Sequence, residues 1–393
     1  MLGIGPHNDS RFTDLASALH RSGPKECAMA PSTGSRKALR DAPSRPLARK
    51  TVSPAHSLKR PSGAQRIAAV PFIPSTDNTS ESLAALQKAN EYYRATVWPS
   101  PFNATSHKLH LGDARDLSWI EDQAVALVVT SPPYWTLKKY EDREEQLGHV
   151  TEYEEFLGEL DKVWRQCERV LVEGGRICCV VGDVCIPRKR DGRHRVMPLH
   201  ADIQSRARSI GLDCLTPILW HKVTNGVTEA EGNGAGFYGK PYQPGAVIKN
   251  DVEYVLFLRK PGAYRSVSPL KKALSMHTRE EMRQWYKSMW TDIRGASTRT
   301  GHPAPYPLSL ADRLIRMFSF AGDTVLDPFA GTGTTGLAAM AAGRNSICNE
   351  IEPKYFDMAQ KLMKAAQKSP SAFGAPDISL EIDAKQPARK SKR

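Results

Sequence analysis

TVLDPFAGTGTTG, residues 324–336, runs from a short apolar strand into a glycine-rich turn and on into a helix. Gly331, Gly333 and Gly336 form a G-x-G-x-x-G turn, and Glu350 closes the next strand-like run, NSICNE (345–350). In such a layout the glycines let the backbone approach a ligand closely, and the carboxylate accepts hydrogen bonds from ribose hydroxyls. On these residues alone NAD, FAD and S-adenosylmethionine stay open, as does a tight turn with no ligand. Asp327 discriminates, because it puts a carboxylate at the strand tip, just before the glycines. Helix N-termini ordinarily receive anions, and that charge repels a pyrophosphate. It attracts the ammonium and sulfonium of S-adenosylmethionine.

Working outward, strands alternate with helices. Helices near 308–319, 334–342 and 354–366 surround the turn. Upstream, the pattern predicts a helix over 81–96 and strands over 108–113 and 124–130. Thr151 and Glu154 have the spacing of a capping box, with Phe156, Leu160, Val163, Trp164, Cys167, Val170 and Leu171 at helical intervals behind them. Gly174-Gly175 is expected to end that helix before a strand over 176–183. A helix over 198–209 and strands over 215–222 and 252–260 follow. This alternation predicts an α/β fold, a Rossmann-like, mostly parallel sheet with helices on both faces.

The formal charge of +13 is concentrated at the ends. Residues 1–70 carry 12 Lys/Arg against 4 Asp/Glu, and 365–393 carry 6 against 3. The charge therefore says little about what the folded part binds. Residues 1–75, rich in Pro, Ser and Arg, and the basic stretch 368–393 are expected to be disordered tails. Between them lies one domain, 76–367, with a catalytic half (105–260), a candidate target-recognition insert (223–300) and a cofactor half (301–367). The 7 cysteines form no C-x-x-C pair, which fits reduced thiols and a cytoplasmic location. No apolar run suggests a membrane partner.

A second stretch, VALVVTSPPYWTL (125–137), joins a buried strand to a stiff elbow. Each proline fixes φ and lacks an N–H, and Ser131 is held extended before Pro132. The elbow's carbonyls have no continuing strand to pair with. They emerge at the C-terminal edge of the sheet, where ligands bind in open α/β folds. A polyproline ligand for a partner domain is disfavoured by the attachment to a core strand.

VTSPPY (129–134) together with DPFAGTGTT (327–335) resembles the site-specific DNA amino-methyltransferases. The catalytic motif precedes the cofactor motif, the order of their permuted β class. The similarity covers about 105–365, including GHPAPYPLSLADRLIRMFS (301–319). A serine preceded by threonine is typical of the cytosine-N4 type, and adenine N6 is the alternative target. The resemblance implies that Ser131 Oγ and the Pro132 carbonyl, in an arm stiffened by Pro133, accept hydrogen bonds from the exocyclic amine of the target base. Tyr134 is implied to stack on the flipped ring. S-adenosyl-L-methionine is the implied cofactor, with Asp327, Phe329, Gly331, Gly333 and Thr334 lining its site and Glu350 on the ribose. Asp113 is implied on the adenine side, and His302, within the segment 302–307, at the methionine end. Double-stranded DNA is the implied partner, alongside a restriction endonuclease encoded elsewhere. A C5-cytosine mechanism needs a cysteine nucleophile, typically after proline, and no cysteine here follows one. A nicotinamide oxidoreductase and a non-catalytic basic binding protein are the readings from other classes.

RKRDGRHR (188–195) is predicted to emerge on the same sheet edge as the elbow. Arg188, Lys189, Arg190, Arg193 and Arg195 there suit phosphate contacts, which position a duplex without specifying sequence. The insert, with Trp285, Tyr286, Trp290, Arg294 and Arg299, is the candidate for target recognition. Lys222 is open to either phosphate or solvent.

Overall fold

All six residues of Val125–Thr130 are buried, as a strand covered on both faces requires. The computed structural model describes residues 69–135, 146–186, 188–224, 227–228, 237–238, 244, 247–248, 250–296, 306–368 and 377–384. Among them nine strands form one sheet. In chain order these are β1 (Ala104–Leu111), β2 (Val125–Thr130), β3 (Leu171–Val181), β4 (Asp213–His221), β5 (Val252–Arg259), β6 (Met289–Trp290), β7 (Thr324–Asp327), β8 (Asn345–Glu350) and β9 (Asp377–Asp383). Their order across the sheet is β6-β4-β5-β3-β2-β7-β8-β1-β9. All neighbours are parallel except β5, which runs antiparallel to both β3 and β4.

The helices are α1 (Ser80–Arg94), α2 (Tyr153–Val170), α3 (Leu199–Ile210), α4 (Pro269–Ser275), α5 (Arg279–Trp285), α6 (Leu308–Phe318), α7 (Thr334–Ala342) and α8 (Pro353–Gln367), besides one turn at Arg188–Asp191. Alternate residues of the central strands face opposite layers. Ile177, Cys179 and Val181 pack with Phe156, Leu160 and Trp164 of α2 and Ile203 of α3. Cys178 and Val180 pack with Leu310 and Leu314 of α6 and Ala338 of α7. Each large apolar side chain buried this way contributes roughly 1.5–3 kcal/mol.

Three local expectations change. The capping box does not form: α2 starts at Tyr153 behind Glu152, whose side chain makes no cap hydrogen bond. Glu154 and Glu155 instead place negative charge in the first turn. Strand β3 begins at Leu171 and runs through Gly174-Gly175 rather than after them. Gly174 has φ +69°, and the pairing to β2 shifts register between Val125 and Leu127. The third correction concerns 368–393, expected to be a disordered tail. Asp377–Asp383 pairs with β1 in parallel, from Ala104↔Asp377 to His110↔Asp383. Ile378, Leu380 and Ile382 alternate along it and pack on the cluster of Leu109, Phe356 and Met363. No helix among the described residues is long and apolar enough to cross a membrane.

Candidate active site

From β2 the chain proceeds through α2 to β3 on one side, and from β7 through α7 to β8 on the other. The strand order therefore reverses between β2 and β7. Open α/β sheets form their ligand crevice at such a point, outside the carboxyl ends of the strands. Both motifs end there, since β2 leads into Ser131 and β7 into Pro328. A buried carboxylate couples them. Asp327, fully buried, accepts from Thr130 Oγ1 at 2.7 Å, Thr335 Oγ1 at 2.5 Å, Tyr306 Oη at 3.0 Å and the Phe329 N–H at 3.1 Å. Burial pushes its pKa up, while those hydrogen bonds pull it down. Burial and the Asp327 charge push the Tyr306 hydroxyl well above its ordinary value. Asp327 thus knits the strand tips together.

The cleft encloses about 710 Å³ including its mouth. Ser131, Pro132 and Pro133 line it from the elbow, Asp113 from the end of β1, Phe329 and Gly331 from the glycine turn, and Glu350 from the tip of β8. Seven expected residues, separated by more than 200 positions in sequence, therefore meet in one concavity. Glu350 is buried and accepts from Gly331 N at 2.7 Å and Glu352 N at 2.8 Å. Burial raises its pKa to about 7 against those two bonds. Asp113 is gripped by Arg115, with Nη2 2.6 Å from Oδ2, and Arg115 also reaches Glu159 at 2.6 Å. The arginine's pKa is raised, chiefly by Asp113.

Gly333 and Thr334 do not line the cleft. Gly333 caps α7 with φ +82°, and a Cβ there would lie 3.1 Å from Ala359 Cβ. Its glycine serves the turn and helix packing. Thr334 is the first residue of α7. His302 lies outside the described residues. Sequence reasoning missed Gln146, Leu147, Asn349, Glu352 and Tyr355, which also line the cleft. Asn349 Oδ1 is buried without a hydrogen-bond partner among the described residues, while its Nδ2 donates to the Gly112 and Pro328 carbonyls. No sequence motif announces these side chains, although Asn349 and Glu352 flank Glu350.

At the elbow, Ser131 Oγ donates to Tyr134 Oη at 3.2 Å. Tyr134 Oη donates in turn to the Val180 carbonyl and to Glu253 Oε2, each at 3.3 Å. Tyr134 is 7% exposed in this arrangement. Trp135, with φ +45°, is equally buried and packs edge-on to Tyr153 at 5.0 Å.

Beyond β3, the short strands Val184–Ile186 and Arg195–Met197 form an antiparallel ribbon that brackets the basic run. It sits on the expected edge, with Arg188, Lys189, Arg193 and Arg195 exposed. Arg195 is paired with Asp191. The side chain of Arg190 lies outside the described residues, as do Arg299 and most of 225–249. Trp285 and Trp290 belong to the core, with the Arg313 guanidinium 5.6 Å and 4.7 Å from their ring centres. They are not available for target recognition. Lys222 Nζ pairs with Glu253 Oε1 at 3.0 Å.

A family model described as DNA methylase matches residues 125–361, a span that takes in the elbow and the glycine turn. The chain is 36% identical over 294 residues to the type II methyltransferase M.MjaI of Methanocaldococcus jannaschii, covering 67% of this chain and 93% of that protein. It is 33% identical to M.MthZI of Methanothermobacter thermautotrophicus, covering 67% and 78%. Among solved structures, a candidate DNA modification methylase of Thermus thermophilus, complexed with S-adenosyl-L-methionine, shares 46% identity. That likeness covers 71% of this chain and 98% of the other, with a TM-score of 0.58.

Proposed function

The chain belongs to the DNA methylase family, and from that premise we propose that it transfers the methyl group of S-adenosyl-L-methionine to cytosine N4 in double-stranded DNA. The observation that carries this reading is the convergence of Ser131, Pro132 and Glu350 on one cleft at the strand-order reversal. The cofactor supplies an electrophilic methyl group on a sulfonium. The cleft fits it: Glu350 is an acceptor for ribose hydroxyls, Asn349 Oδ1 is an acceptor without a partner among the described residues, and Phe329 and Tyr355 give apolar walls.

The elbow's part is orientation. An exocyclic amine delocalises its lone pair into the ring, and two acceptors on its hydrogens favour a pyramidal, more nucleophilic nitrogen. Ser131 commits its only proton to Tyr134, which leaves its lone pairs to accept from the amine. The Pro132 carbonyl is the second acceptor, on an arm that Pro133 keeps rigid. Serine is a neutral, poor base, so it aligns the amine rather than deprotonating it before attack. Alignment alone accounts for as much as roughly 7–11 kcal/mol of a barrier. Tyr134 enters through its hydroxyl, as the group that sets the serine. The base must leave the duplex to reach the cleft, at a few kcal/mol, and the basic ribbon of 184–197 holds the flanking phosphates. Serine after Thr130, the arrangement typical of the cytosine type, favours N4 over adenine N6.

The test is transfer of labelled methyl from S-adenosyl-L-methionine to unmethylated genomic DNA, followed by nucleoside digestion. N4-methylcytosine is expected, with Ser131→Ala slower by roughly 10²–10³-fold, the scale of losing one preorganised polar contact. N6-methyladenine would move the target to the other base. No label in DNA, or an unaffected Ser131→Ala, would overturn the proposal.

A further inference from the structure

The polar side chains of the elbow continue past the cleft into the sheet. Ser131 Oγ, Tyr134 Oη and Glu253 Oε2 form a chain with links of 3.2 Å and 3.3 Å, and Glu253 Oε1 accepts from Lys222 Nζ at 3.0 Å. The antiparallel strand β5 makes this possible. It sets Glu253 opposite Trp220 of β4 and Tyr254 opposite Val181 of β3, which carries the carboxylate beneath the elbow. At Gly182 a Cβ would be 3.4 Å from Glu253 Cγ and 3.5 Å from the Tyr134 ring, so the three residues pack together. The Glu253 and Lys222 side chains retain 14% and 19% exposure, an outlet to water.

Resting on the methyl transfer proposed above, we infer that Glu253 is the end of a proton path from the target amine through Ser131 and Tyr134, held in place by Lys222. When the nitrogen–methyl bond forms and the sulfur–methyl bond breaks, the electron pair of the broken bond stays on sulfur. The methylated nitrogen is left cationic, with one proton too many. That proton passes to Ser131 Oγ as the serine's own proton passes to Tyr134 Oη. The tyrosine's proton passes to the Glu253 carboxylate, which later releases it to water. Both hydroxyls end as they began, and no other reactant is consumed. Glu253 touches neither substrate nor cofactor, so it acts as a positioning and proton-accepting residue behind the serine.

The experiment is single-turnover methyl transfer to unmethylated genomic DNA, run beside S-adenosyl-L-methionine binding and thermal melting for each variant. Glu253→Gln keeps the shape and loses the proton acceptor. It is expected to slow transfer by roughly 10²-fold, the lower end for a positioned acid–base group, with cofactor affinity and the KM for DNA unchanged. Glu253→Asp, which keeps a carboxylate, is expected to recover part of the rate. Tyr134→Phe keeps the ring and cuts the path, and the double variant Tyr134→Phe/Glu253→Gln should be no slower than the slower single one. A wild-type rate in Glu253→Gln, or losses that multiply in the double variant, would overturn the path. If Ser131→Ala stalls while Glu253→Gln does not, the path alone fails. If the unaltered protein transfers no methyl to DNA, the methyl-transfer reading fails and the path falls with it.

Discussion

The two walls of the cleft are built in opposite ways. On the β7–β8 side, the cofactor half, the structure is made by buried groups that bond to backbone and to one another. Asp327 takes four donors, and Glu350 ties its own strand tip to Gly331 and Glu352. On the β2–β3 side, the polar links run between side chains, Ser131 to Tyr134 to Glu253 to Lys222. The two at the Tyr134 hydroxyl, 3.2 Å and 3.3 Å, are longer than any of those to the Asp327 and Glu350 carboxylates. Groups that must only hold a shape are best fully satisfied and shut away. Groups that must exchange partners during a reaction need bonds that break at little cost. Substitutions in the first wall should therefore act on stability and cofactor binding, and those in the second on the rate of transfer.

The largest effect is expected at Asp327. Asp327→Ala leaves the hydroxyls of Thr130, Thr335 and Tyr306 and the Phe329 N–H in a buried place without their shared acceptor. Each buried polar group left without a partner costs roughly 1–3 kcal/mol, a loss that urea denaturation would read directly. Asp327→Asn, which keeps two or three of those bonds, should lose less. Equal stability of Asp327→Ala and the unaltered protein would show that the strand tips are held by other contacts.

Glu350 comes next, and its effect is on binding. Its pKa of about 7 lies above the ordinary carboxylate value because of burial. In the free protein it is protonated below that pH, and ribose hydroxyls need the ionised form as acceptor. Cofactor affinity should therefore rise between about pH 6 and pH 8, with a proton released on binding, and Glu350→Gln should flatten the profile. Losing a charged acceptor, worth roughly 1.5–3 kcal/mol, should weaken binding about 10- to 100-fold. The sign for stability is opposite. A folded pKa above the unfolded one gives stability that is full below the unfolded value, near 4.5, and lost as pH rises through 7. Calorimetry of binding in two buffers and melting across that window check both.

The cofactor wall was also the more legible in sequence. The segments expected at 324–327, 334–342 and 345–350 coincide with β7, α7 and β8, because apolar runs there are bounded by glycines and by a carboxylate at each tip. The elbow was visible through its prolines, but its connections were not. Glu253 lies 119 positions from Tyr134, and only the pairing of β5 brings them together. A burial level such as that of Tyr134 is likewise set by what lies above it in space. Strand β9 was hidden for another reason: Ile378, Leu380 and Ile382 alternate correctly, but the basic, Pro- and Ser-containing sequence around them masks a run of only seven residues. Thr151 had the spacing of a cap, and the chain's entry into α2 placed the boundary beyond it.

Within the turn, Gly333 and Gly331 separate the two kinds of wall on a finer scale. Gly333→Ala forces a side chain into φ +82° and against Ala359. The left-handed conformation alone costs roughly 1–2 kcal/mol. The loss should appear in denaturation, with cofactor affinity changed less than in Glu350→Gln, since Gly333 does not line the cleft. Gly331, with φ +52°, does line it, so Gly331→Ala should weaken cofactor binding as well as stability.

The smallest effects belong to the basic ribbon, which stands outside both walls. Phosphate contacts position the duplex, and each one lost flattens the dependence of log K on log salt by about 0.9. Arg188→Ala, Lys189→Ala and Arg193→Ala should each weaken DNA binding at low salt with little change in single-turnover transfer at saturating DNA. Arg195 is already paired with Asp191, so Arg195→Ala should flatten the slope least. Titrating duplex DNA over a range of salt separates these cases. A slope unchanged in all four variants would place the DNA on another face, while a drop in the transfer rate would mean that the ribbon reaches the elbow itself.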